Sequence, residues 1–110
     1  MAGDLYRCQF DRECMPGQEC RTDAGFPALV ARDGDGWQVT LTPGTAAIAF
    51  AWLSAGDGML HLVSAQTDPM ATAATLLSIA PDGTAMVSTH GNFHIPGAVT
   101  HLGTCISEDN

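Results

Sequence analysis

Lysine is absent from this chain, and cationic side chains stop early. Arg7, Arg12, Arg21 and Arg32 are the only arginines, and beyond Arg32 only histidine can carry positive charge. A phosphate backbone is gripped by clustered Lys and Arg, so no nucleic-acid partner is expected. An anionic membrane surface is disfavoured for the same reason. No apolar run reaches the roughly 18 residues of a spanning helix, so no membrane span is expected. The opening MAGDLYRCQF has no basic stretch followed by an apolar one, so export would require that a signal peptide has been removed. Also missing are a P-loop, a dinucleotide fingerprint and a G-x-S-x-G elbow around any of the serines. No catalytic residue and no cofactor can be nominated, and a non-enzyme is expected.

What is present begins with charge and size. The 110 residues carry a formal net charge of −8, with 45% hydrophobic and 15% charged residues. That balance is too apolar for disorder and fits one small domain. A core of this size benefits from covalent help. The net sign would draw in basic proteins, although sign alone names no partner.

The cysteines supply a candidate for that help. Cys8, Cys14 and Cys20 are evenly spaced in CQFDRECMPGQEC, and the fourth, Cys105, lies near the far end. Five intervening residues are too many for the tight ligand pairs of a structural zinc site, and the first histidine is His61. No C-x-x-C exchange motif occurs. An even set in a short chain reads as two disulfides, one of them joining the N-terminal group to Cys105 and the other closing a local loop. The stretch resembles the C-x-x-D-x-D/E-C-x-x-G-x-x-C loop of secreted cysteine-rich modules, including Dickkopf-type domains and bacterial exported repeats. The likeness implies only an oxidising compartment, here periplasmic or secreted.

The chain divides into a cysteine-bearing segment (1–25) packed on the domain, an antiparallel β-domain (26–106) and an acidic tail (107–110). The middle part alternates short apolar runs with RDGDG, TPG, SAGDG, TDP, PDG, HGN and PG. Gly and Asp in such places support tight turns. The reading is a mainly β fold: an antiparallel meander of about seven or eight strands, closed as a barrel or stacked as a sandwich. GWQVTLT alternates with period two, and SIAPDGTAMV is the clearest hairpin. GMLHLVSAQ, ATLLSIA, TAMVSTH, NFHI and AVTHLGTCI read as further strands. In TAAIAFAWL, Ile48, Phe50 and Trp52 share one face and Ala47, Ala49 and Ala51 the other. The alanine face should press against the N-terminal segment, a helix or a partner. At most one short helix is expected, at about 69–75, where Asp68 and Pro69 form a start signal.

Candidate chemistry is sparse. His90, His94 and His101 could meet on one sheet face and bind copper or zinc, with Met59, Met70 and Met86 as soft ligands. Against this, Met59 and Met86 fit core positions. Asp33, Asp35, Asp57 and Asp82 neighbour turn glycines and should serve the backbone. The favoured function is binding of a protein partner, as an accessory subunit or inhibitor. In size, acidity and stapling the chain is similar to small periplasmic lysozyme inhibitors, an analogy only. The alternatives are a carrier of a small apolar ligand in a barrel mouth lined by Trp37, Phe50 and Trp52, and the histidine metal site.

Overall fold

The computed structural model describes residues 4–41, 46–64, 73–92 and 96–108. Eight antiparallel strands close into a barrel in simple chain order: β1 (Leu5–Cys14), β2 (Phe26–Asp33), β3 (Gly36–Thr40), β4 (Ile48–Leu53), β5 (Leu60–Ser64), β6 (Ala73–Ile79), β7 (Thr84–Asn92) and β8 (Pro96–Ser107). Closure decides the barrel-or-sandwich alternative, and it comes from β1 pairing with both β2 and β8. The N-terminal segment thus enters the sheet as its first strand. Closure leaves no free edge for another chain to add to.

Alternation along the strands places one set of side chains inside. Phe10, Val30, Val39, Leu62 and Leu77 are the largest fully buried ones, and Trp37, Phe50, Ile79 and Val87 complete the apolar interior. Small residues face inward beside the bulky ones. Ala28 and Ala85 are buried beside larger core residues and Gly103 lies opposite Phe10, the large-and-small mixture a narrow barrel needs.

The seam between β1 and β8 is locked covalently. Cys8 and Cys105 are register partners, their Cα atoms 4.0 Å apart, and are joined by a disulfide spanning 97 positions. A second disulfide, Cys14–Cys20, closes the first loop, where Glu13 and Arg21 exchange both backbone hydrogen bonds. Between the two disulfides β1 bulges at Phe10/Arg12, facing Gly103 of β8. Two disulfides place the folded chain in an oxidising environment.

The APDG hairpin forms as read: Gly83 N–H donates to Ala80 C=O at 2.9 Å. Gly83 takes φ +93°, which only glycine adopts without strain. The segment read as a helix at about 69–75 is β6 from Ala73 onward, and its earlier residues lie outside those described. Asn92 of NFHI ends β7, and the rest of that stretch is also outside the described residues.

Two packing expectations are corrected. Met86 is 39% exposed on the outer face, because its neighbours Ala85 and Val87 take the inward positions; Met59 is only half-buried and lies just before β5. The small inward Ala85 sits opposite Gly103, where the barrel has no room for methionine. The alanine face of β4 is not covered by the chain either: Ala49 and Ala51 are exposed. The cysteine segment lies across the barrel, between β2 and β8.

Candidate functional site

The up-and-down order sorts the connections by end. The β2–β3, β4–β5 and β6–β7 turns gather at one end with the start of β1 and the close of β8. The disulfide loop lies at the opposite end.

At the disulfide end, inward alternation brings His101 of β8 beside Glu13 of β1. His101 Nε2–H donates to Glu13 Oε2 at 3.1 Å, and each side chain keeps only 15% exposure. The imidazole edge meets the Phe26 ring at 4.8 Å between centroids, and Phe26 stacks at a tilt on Phe10. This pair ties the bulged end of β1 to β8. Nothing in the sequence signals it, since the partners are 88 positions apart.

A second constellation sits on the outside at the turn end. His61 of β5 and Ser78 of β6 are register partners. His61 Nδ1 lies 2.7 Å from Ser78 Oγ, and its Nε2 lies 2.8 Å from Asp57 Oδ2. With Nε2–H donated to Asp57, Nδ1 accepts the Ser78 hydroxyl. Asp57 also accepts the Met59 N–H at 3.0 Å. The His61 hydrogen bond and then that N–H hold the Asp57 carboxyl below the usual range. A carboxylate, an imidazole and a hydroxyl in series have the composition of a hydrolytic relay. Here, though, the serine is only 4% exposed, so its oxygen anchors the ring instead of facing a substrate. The net effect is to pin the β4–β5 loop onto the sheet. The turn-glycine rule found Asp57's backbone role and missed its histidine.

Among the described residues the histidines do not converge. His61 and His101 have the partners just given, and His101 faces inward while His90 is exposed on the outer face of β7. His94 and Met70 lie outside the described residues. Among the described residues no group of three metal-ligating side chains comes together.

The third feature is the wall itself. Strands β4 through β8 contain no Asp, Glu, Lys or Arg. On their outside Leu53, Leu76 and Met86 are 50%, 40% and 39% exposed, beside exposed Ala49 and Ala51. Trp52, in phase with inward Phe50, runs past the rim and is 60% exposed. No protein-family model matches the chain, and neither curated proteins nor solved structures give a match. The wall's geometry therefore has to stand by itself.

On the other side of the barrel an outer groove of about 530 Å³ runs over Arg7, Pro27, Leu29, Leu41 and Ile106. Its one cation is already engaged, because Arg7 Nε donates to Glu108 Oε1 at 2.5 Å.

Proposed function

We propose that this protein is an exported, non-catalytic β-barrel that binds a protein partner through the outer wall of β4–β7, as an accessory subunit or an inhibitor. One observation carries the reading: consecutive strands without an ionic side chain present Leu53, Leu76 and Met86 on the outer face, with Trp52 exposed at the adjoining rim. An unpaired apolar wall costs solubility, and a protein that keeps one has a use for it. An exposed tryptophan next to an exposed leucine has the make-up of an interface centre, where charge is depleted and aromatics are enriched.

Lipid fits the wall less well. A membrane barrel turns an apolar band to lipid all the way round, whereas β1 here carries exposed Arg7 on its outer face. The interior here is apolar and filled, whereas such barrels are polar inside. The filled interior also weighs against the ligand-carrier alternative, since Trp37 and Phe50 belong to the core. Periplasmic or secreted residence accords with the disulfides.

The test is a charge placed on the wall. Leu53→Asp with Leu76→Asp should leave the melting temperature nearly unchanged, because both side chains are already exposed. Immobilised wild type should retain an identified protein from a native cell-envelope extract that the double variant does not. Equal recovery on both would remove the wall from the account.

A further inference from the structure

We infer that the partner is a basic protein, which seats an apolar spot on Trp52 and Leu53 and sets cationic side chains against the carboxylates of the adjoining turns. This inference rests on the proposed docking wall and adds the chemistry of its occupant.

The topology gathers negative charge beside the wall. Asp33 ends β2 and Asp35 lies in the turn after it, Asp57 is in the β4–β5 loop and Asp82 in the β6–β7 turn, all at the end where β4 delivers Trp52 and Leu53. The arginines at that end are spent elsewhere. Arg7 bridges Glu108, and Arg32 lies 3.6 Å from Asp4. Among the described residues no arginine bridges Asp33, Asp35, Asp57 or Asp82. Asp57 and Asp82 accept backbone N–H groups from Met59 and Thr84, which fixes both carboxylates in place, and Asp57 also holds the His61 imidazole at 2.8 Å. The Asp57–His61–Ser78 series holds the loop beside Trp52 down on the sheet. The rim is thus preorganised, and ordering it on binding costs little.

Complementarity then selects the occupant. A second copy would bring two acidic rims together on chains of net charge −8 each, so self-association is opposed. An acidic or neutral partner would leave the rim uncompensated. A cationic partner gains at the rim and buries the apolar centre, the arrangement that gives both steering and specificity.

The experiment uses a panel of folded cationic proteins as probes (lysozyme, cytochrome c and ribonuclease A) with ovalbumin as the acidic control. Binding to the full chain is followed by calorimetry at about 50 and about 200 mM salt. At least one cationic probe should bind, weakening several-fold over that range, and ovalbumin should not. Asp57→Asn with Asp82→Asn should weaken that probe about tenfold. The control pair Asp11→Asn with Glu19→Gln removes the same charge away from the rim and should change binding less than about twofold. Trp52→Ser should also weaken it about tenfold. Equal loss in the two charge pairs would show diffuse attraction and overturn the inference, as would no binding by any cationic probe. Loss with Trp52→Ser but not with the rim pair would retain the wall and reject the basic partner. If Trp52→Ser has no effect while a probe binds, the wall reading fails with it.

Discussion

Gly103 is the position where one added methyl should do most harm. It faces inward on β8, opposite Phe10 at the bulge of β1. A Cβ there would overlap the Gln9 carbonyl oxygen and lie 2.6 Å from Phe10 Cα and 2.8 Å from Gln9 C. All three are backbone atoms of the neighbouring strand. They cannot swing aside as a side chain tip can, so relief requires β1 and β8 to part. The Cys8–Cys105 disulfide, two positions along, opposes that parting. Overpacking of this kind costs about 3 kcal/mol. Unfolding entropy near 2.1 cal/mol/K per residue over 110 residues converts 1 kcal/mol to about 4 °C, so Gly103→Ala should melt about 13 °C lower. Gly56→Ala is the matched control. Its added Cβ meets nothing within 4 Å and no left-handed φ is involved, so its melting point should hold or rise slightly. Calorimetric melting of both variants is the assay. A Gly103→Ala protein within about 2 °C of wild type would refute the seam geometry.

Three further outcomes are expected. Intact mass without reductant should fall short of the reduced mass by the four thiol hydrogens, and free-thiol labelling of the native protein at any cysteine would contradict this. Cys8→Ala with Cys105→Ala should lower stability by about 4–5 kcal/mol in denaturant melts, since the bridge closes 97 positions of chain; a loss under about 1 kcal/mol would be inconsistent with it. Asp57 and Asp82 are held below the usual carboxylate range, by His61 and by the Thr84 N–H respectively. The unfolded chain then binds more protons in acid, so their stabilisation is complete above about pH 4 and disappears as pH falls further. Melting temperatures of Asp57→Asn/Asp82→Asn should accordingly decline less steeply than wild type below that pH.

The parts of the fold carried by local pattern were legible. Trp37 and Val39 alternate into the core as the period of two requires, and Pro81-Asp82-Gly83 states its own turn. The even cysteine set and its wide spacing pointed to one long and one local disulfide. Closure was not legible, because it depends on β1 meeting β8 from the other end of the chain. Phase was misread at Met86: the larger side chain looked like the inward one, but β8 presents Gly103 opposite Ala85 and the space is taken. Ala49 and Ala51 were read correctly as the face away from the bulky residues; of the covers expected for it, neither the N-terminal segment nor a helix lies there, which leaves a partner. The separation of His90 from His101 was hidden for a similar reason. Their nearness in sequence hides that His90 points out and His101 points in, while Glu13, the partner of His101, sits in another part of the chain.

The Trp52 wall should be open in the isolated protein and covered in its complex. Hydroxyl-radical footprinting read by mass spectrometry measures this side chain by side chain. In the isolated protein Trp52, Met86 and Ile106 should label strongly and Trp37 and Leu62 hardly at all, following their exposure. In the complex with the protein recovered by the wild type, Trp52 and Met86 should become protected while Ile106, on the far side of the barrel from β4, stays reactive. Continued labelling of Trp52 and Met86 in that complex, with protection at Ile106 instead, would contradict the account.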